Sequence, residues 1–174
     1  MKIEKTKLDG VLLISPSTSF SDFRGGYVEI YNQKVYEEAG ITTQFVQDDV
    51  SISYQNVLRG IHGDNDTTKL CWCSYGRIYQ IVVNCDPSSS QYLQWQSFLL
   101  SDETRQQVLI PPKFGNSFLV LSQVAAFSYK QSTYYQGAGK QFTLRWNDPK
   151  IHIYWPIVNP ILSERDATAA FLPE

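Results

Sequence analysis

Histidine is nearly missing from this chain: only His62 and His152 occur among its 174 residues. Metal sites in β-rich folds usually draw on several histidines and carboxylates. Neither H-x-H nor H-E-x-x-H occurs here, so no bound metal is expected. Charge is also sparse, at 18% Asp, Glu, Lys and Arg with a net charge of −2. No global field attracts nucleic acid, so none is expected as a partner, and an anionic ligand would need a local basic pocket. The phosphate-cradling patterns G-x-G-x-x-G and G-x-x-x-x-G-K-[ST] are missing, as is the G-x-S-x-G elbow of acyl transfer. No apolar run approaches roughly 18 residues, which speaks against a membrane-spanning helix. Met1-Lys2-Ile3-Glu4-Lys5 lacks the apolar stretch of a signal peptide. The three cysteines, Cys71, Cys73 and Cys85, form an odd set without C-x-x-C spacing. Reduced thiols in the cytoplasm are the expectation.

What is abundant points to sheet. Hydrophobic residues make up 43% and aromatics 14%, with eleven Tyr and nine Phe. These side chains favour strands, and the chain is of a length for one domain over residues 1–174. Ile78 to Val83 is apolar on both faces, as in a buried strand. Phe127-Ser128-Tyr129-Lys130 alternates, as do Phe142 to Trp146 and Ile151 to Trp155, with a turn at Asn147-Asp148-Pro149 between the last two. Val108 to Ile110 and, after Asn116, Phe118 to Leu121 read as further strands. Period two also places Cys71 and Cys73 on one face, as core thiols. Helix signals are confined to Asn32–Ala39, with Asn32 as cap and Gly40 as stop, and to Ser163–Ala170. Many short strands and few helices predict an all-β sandwich or barrel, with a double-sheet jelly roll as one closure.

Several residues could carry chemistry. His62 lies in Val57-Leu58-Arg59-Gly60-Ile61-His62-Gly63-Asp64, with Lys69 seven positions on. An imidazole can act as a general base, and nearby cations suit phosphate or a developing oxyanion. The structural alternative is a strand histidine satisfied by a carbonyl, and His152, inside a strand pattern, favours that alternative more strongly. Asp22-Phe23-Arg24-Gly25-Gly26 reads equally as a turn with a solvated ion pair. Ser163-Glu164-Arg165-Asp166 reads as a capped helix start with Asp166 at N3. Tyr129 reads as a half-buried strand aromatic.

Taken in order, these segments carry a resemblance. Asp22-x-Arg24-Gly25, Glu29, Phe45-Val46-Gln47-Asp48, Val57-Leu58-Arg59-Gly60-Ile61-His62, Lys69-Leu70, Tyr129-Lys130, Tyr134-Tyr135, Trp146-Asn147-Asp148, Trp155-Pro156 and Leu162-Ser163-x-x-Asp166 make the chain resemble the dTDP-4-dehydrorhamnose 3,5-epimerase family from about Ser19 to Asp166. The resemblance implies a cupin-type double-sheet jelly roll with a few short helices. It implies a homodimer that needs neither metal nor cofactor, and a nucleoside-diphosphate 4-keto sugar as substrate. It matches His62 to the catalytic base, Asp166 to the carboxylate paired with it, Tyr129 to the proton donor on the opposite sugar face, and Lys69 to the cation beside the C4 oxygen. Arg24, Glu29, Gln47, Asp48, Asp49, Arg59, Lys69, Asn116, Tyr135 and Arg165 match substrate-contacting positions.

The chain also departs from the family. Asn116 replaces a substrate-contacting histidine and cannot become cationic. Gln80 and Asn84 stand where the family commonly has Asp, Asp86 where it has Arg, and Arg165 where Lys is common. Arg59 to Asp64 together with Gly115-Asn116-Ser117 resemble the branch acting on GDP-linked 4-keto heptoses, and a C3-only epimerase is equally compatible. A ketoisomerase on a related scaffold and a non-catalytic sugar-nucleotide-binding jelly roll are the competing readings.

Overall fold

The computed structural model describes residues 1–16 and 19–173. Its strands are β1 (Lys2–Lys5), β2 (Leu12–Ser15), β3 (Ser19–Asp22), β4 (Gly25–Val28), β5 (Gln47–Tyr54), β6 (Leu58–Gly63), β7 (Lys69–Tyr75), β8 (Arg77–Asn84), β9 (Trp95–Ser101), β10 (Gln107–Ile110), β11 (Phe114–Val120), β12 (Val124–Gln131) and β13 (Phe142–Thr143). Two short helices join them, α1 (Gln33–Glu38) and α2 (Glu164–Ala167). A six-stranded sheet runs β1-β2-β10-β7-β12-β5 and a five-stranded sheet runs β13-β6-β11-β8-β9, while β3 and β4 form a separate hairpin. The paired strands are antiparallel, and the two sheets face each other as a jelly-roll sandwich.

Period-two side-chain placement builds three apolar layers. Between the sheets, Cys71, Cys73, Val108, Ile110, Ala125 and Phe127 meet Ile78, Val82, Phe98, Leu100, Phe118 and Val120. Phe118 and Phe127 stack across this gap at 4.4 Å between ring centroids, a contact of about 0.5–1.5 kcal/mol beyond its buried area. Cys71 and Cys73 share the inner face, as alternation predicts, and burial pushes the Cys71 thiol up to about 12. On the outer face of the five-stranded sheet, Leu58, Ile61, Ile81, Val83 and Leu119 are covered by Ile151 and Trp155. This is why Ile78 to Val83 is apolar on both faces. On the outer face of the other sheet, Ile14, Leu70 and Leu109 pack under Tyr36 of α1 and Ile41.

The covering segment corrects two expected strands. Of Phe142 to Trp146, only Phe142–Thr143 pairs as a strand, and Ile151 to Trp155 forms none. The alternation there records which side chains of an irregular chain reach the sheet. Leu144, Trp146, Ile151, Ile153 and Trp155 pack against it, while His152 takes φ +54°, outside any extended strand. The Trp155 indole donates to the Trp146 carbonyl at 2.8 Å and closes this cover on itself.

Three smaller expectations shift as well. Asn116 lies inside β11, which starts at Phe114 and ends at Val120. Asn32 occupies the N-cap of α1, but its side chain donates to Glu29 Oε2 instead of capping; Gly40, at φ +87°, follows as the stop. Helix α2 is a single turn, ending at Ala167 and not Ala170.

Candidate active site

The inner apolar stripes turn polar at one end of the sandwich. Along β7 the inward residues run Cys73, Cys71, Lys69, along β12 they run Ala125, Phe127, Tyr129, Gln131, and along β11 they run Val120, Phe118, Asn116. Where these stripes become hydrophilic, a cavity of about 460 Å³ opens. His62, Arg59, Lys69, Asn116, Tyr129 and Asp166 are among its lining residues.

Simple alternation would put Arg59 and His62 on opposite faces of β6. A bulge brings them together: Asn116 pairs with His62 but Phe118 pairs with Arg59, so β6 carries one extra residue. Gly60 makes this possible. It sits at φ +106°, and a Cβ there would come within 2.6 Å of the Asn116 carbonyl oxygen. The same shift sends Leu58 and Ile61 together into the outer core.

His62 Nε2 lies 2.6 Å from Asp166 Oδ1, with side chains 24% and 2% exposed. Asp166 reaches the ring because Ser163 caps α2 by accepting its N–H, at 3.2 Å. Its carboxylate does not reach back to complete a capping box. Oδ1 meets His62, and Oδ2 accepts the Gly60 N–H at 3.3 Å. Burial pushes the Asp166 carboxyl up, but the hydrogen bond and charge of His62, with those from Ser163 and Gly60, outweigh it and hold the group below the ordinary carboxylate range. An ionised Asp166 accepts the Nε2 proton and leaves Nδ1 with a free lone pair, the tautomer a base requires.

The six-stranded sheet supplies the facing wall. Burial, then the Asp49 carboxylate, push the Tyr129 phenol up to about 12, so it stands protonated as a donor. Lys69 is nearly buried, its ammonium 3.7 Å from Asp64 Oδ2. Arg59 Nε donates to Ser53 Oγ at 2.9 Å, and Arg165 donates to Thr143 Oγ1 at 2.7 and 2.9 Å. Neither guanidinium has a carboxylate partner among the described residues, which leaves positive charge for an anionic ligand. Among those residues no group of three or more His, Cys, Asp or Glu is placed to hold a metal, and no helix is long and apolar enough to cross a membrane.

The cavity gathers His62, Tyr129, Lys69, Asp166, Arg59, Asn116, Tyr135 and Arg165, and leaves out Arg24, Glu29, Gln47, Asp48 and Asp49. Arg24 lies on the exposed β3–β4 hairpin, 2.6 Å from Asp22 Oδ2. Glu29 accepts from Asn32, and Asp48 pairs with Lys130 at 2.8 Å. Asp49 accepts from Gln47 and Gln131, and Gln47 in turn accepts the Tyr135 N–H at 2.8 Å, fixing the cavity mouth from behind. Gln131, Gln141 and Ser51 line the cavity without having been singled out in the sequence. Gln131 was recoverable, two residues past Tyr129 on the same strand face.

The chain is similar throughout its length to known proteins. A family model described as dTDP-4-dehydrorhamnose 3,5-epimerase matches residues 5–174. A dTDP-4-dehydrorhamnose 3,5-epimerase of Shigella flexneri is 39% identical over 170 residues, 95% of this chain and 93% of that protein. The crystal structure of the enzyme of that name from Bacillus anthracis, with TDP and PPi bound, superposes with a TM-score of 0.92 at 35% identity, covering 98% of this chain and 99% of that one. A dTDP-6-deoxy-D-glucose-3,5-epimerase from Legionella pneumophila, in complex with dTDP-4-keto-L-rhamnose, gives 0.91 at 36% identity, covering 98% and 92%.

Proposed function

The chain belongs to the dTDP-4-dehydrorhamnose 3,5-epimerase family, and from that premise we propose that it inverts carbon centres at C3, C5 or both of a dTDP-linked 4-keto-deoxy sugar in deoxysugar biosynthesis, with His62 as base and Tyr129 as acid. The observation that carries the assignment of roles is their origin on opposite walls. His62 comes from β6 of the five-stranded sheet and Tyr129 from β12 of the six-stranded sheet, and both line one cavity. Inversion needs a proton removed from one face of a carbon and returned to the other, and this arrangement supplies both.

The C4 ketone acidifies the hydrogens on C3 and C5. His62 Nδ1 takes one, and the resulting imidazolium is stabilised by Asp166. The electron pair moves into an enolate whose oxygen lies beside Lys69, an electrostatic contribution often worth several kcal/mol. Tyr129 delivers its proton to the carbon from the opposite face. Arg59 and Arg165 hold the diphosphate and sugar. The ketone is present in the substrate, so the proton transfers balance without a redox step.

Arg24 and Glu29 enter this reading through a second copy of the chain, acting as a homodimer in the cytoplasm. The β3–β4 hairpin exposes Phe20, Phe23 and Tyr27, and the edge strand β5 exposes Val50, Ile52 and Tyr54 on its outer face. An apolar edge of this kind is a natural pairing surface.

Proton NMR in D₂O tests the function. With dTDP-4-keto-6-deoxyglucose, deuterium should enter at C3, C5 or both. Incorporation only with a GDP-4-keto heptose would move the chain to that branch. Failure with both would favour a sugar-nucleotide-binding protein without turnover.

A further inference from the structure

Gln80 is fully buried on β8, on the inner face between Ile78 and Val82. Its Nε2 donates to Asn116 Oδ1 at 2.7 Å, while its own Oε1 is buried without a hydrogen-bond partner. A residue needed only for packing would carry no amide here, since an unpaired buried carbonyl is costly. The amide N–H group is directed to Asn116, with the Cys71 thiol as its other neighbour. That bond occupies the Asn116 carbonyl, so the part of Asn116 left over is Nδ2, which can only donate. Nδ2 has no acceptor among the described residues, and Asn116 lines the cavity opposite His62 in strand register.

We propose that Gln80 is a positioning residue that fixes Asn116 as a hydrogen-bond donor toward the sugar, so that the two form one uncharged reader of a hydroxyl or keto oxygen next to the reacting carbon. This rests on the cavity being the sugar site. The two sequence departures at 80 and 116 thereby become a single coupled change. Neither amide titrates, so this arm of the site keeps the same polarity at every working pH.

Reversing the polarity tests it. In Gln80→Glu an ionised carboxylate only accepts, so Asn116 turns Nδ2 toward position 80 and presents Oδ1 to the sugar; a carboxyl kept protonated by burial still donates to Oδ1, so KM is read up to alkaline pH, where the group ionises. In Gln80→Met the volume is kept and the clamp is lost. With dTDP-4-keto-6-deoxyglucose, KM should rise about 3- to 10-fold in Gln80→Met and about 10- to 100-fold in Gln80→Glu, where acceptor faces acceptor. Affinity for dTDP alone, by calorimetry, should stay within about 2-fold, because the proposal gives Asn116 a contact with the sugar and none with the nucleotide. The double variant Gln80→Glu/Asn116→His should recover KM only on the acid side of the new imidazole's titration, a pH dependence that the Gln80 and Asn116 amides cannot supply.

Equal KM in the wild type, Gln80→Met and Gln80→Glu overturns the proposal, and so does a parallel loss of dTDP affinity, which would mark a structural role. The Asn116 side-chain NH₂ resonances in ¹H–¹⁵N spectra, identified by their loss in Asn116→His, should shift in Gln80→Glu. That shift without any wild-type turnover would mean that the epimerase reading has failed and the clamp has not. Unmoved resonances with intact turnover would mean the reverse.

Discussion

The two walls of the cavity are built from different materials. The wall from β6 and α2 is a paired, hydrogen-bonded device: His62 is locked to Asp166, Asp166 is held by Ser163 and Gly60, and the strand is bulged at a glycine to aim the ring. The wall from β7 and β12 is regular strand where it lines the cavity, its one register slip lying at the far end, between Tyr75 and Cys73. Lys69 and Tyr129 reach the cavity simply by continuing the alternation that buries Cys71 and Phe127. Removing a proton from carbon needs a base whose tautomer and charge are supported, and this calls for second partners. Returning one needs a donor kept protonated, and burial beside Asp49 does that for Tyr129 without any dedicated contact.

The contrast is sharpest at His62. His62→Ala should lower both deuterium exchange and epimerisation by about 10²–10⁴-fold, the usual contribution of a positioned base. An exchange rate within tenfold of wild type would transfer the base role elsewhere. Tyr129→Phe should split the two readouts. Net inversion should fall by about 10²-fold, while exchange from the His62 side falls less, because only the returning proton is lost. Equal losses would mean that the walls do not divide the work.

How far this division was legible in the sequence depended on regularity. In the six-stranded wall the one slip between β7 and β12 falls at Tyr75–Cys73, away from the cavity, and period two holds from there on, so Phe127, Tyr129 and Gln131 could be placed on one face by counting. The five-stranded wall could not be read that way. Counting puts Arg59 and His62 on opposite faces, and only the register slip against β11 reunites them. Asp166 lies 104 residues from His62, and nothing local in Ser163-Glu164-Arg165-Asp166 distinguishes a capping carboxylate from a paired one. Those roles came from the family resemblance. The segment around His152 failed for the opposite reason: its alternation is genuine, but it reflects packing onto a sheet by a chain that pairs with almost nothing. Arg24, on the β3–β4 hairpin, and Glu29, just after it, lie outside the cavity, a placement that no local pattern in the sequence signals.

The bulge itself can be attacked without touching a titrating group. Gly60→Ala places a Cβ 2.6 Å from a backbone oxygen at a φ that favours glycine, which should cost about 1–3 kcal/mol in thermal or urea unfolding. In protein that remains folded, epimerisation should fall together with exchange, as in His62→Ala, because the base is mis-aimed while Tyr129 stays in place. A folded Gly60→Ala enzyme with wild-type exchange would show that the bulge is not what aims His62.

The smallest effect expected is a pH dependence that also belongs to the base wall alone. Asp166 is held below its ordinary value of 3.8 in the folded chain, so the unfolded chain binds that proton more readily. Its contribution to stability is therefore fully present above pH 3.8 and is lost as pH falls through the depressed folded value. Each unit of depression corresponds to about 1.4 kcal/mol. Unfolding measured from pH 7 down to about pH 2 should show Asp166→Asn less stable than wild type near neutrality. The gap should narrow as the acid is titrated, since the variant has no carboxyl to protonate at that position. Parallel curves would mean that the carboxylate is not held charged by its contacts, and the support assigned to the His62 imidazolium would go with it.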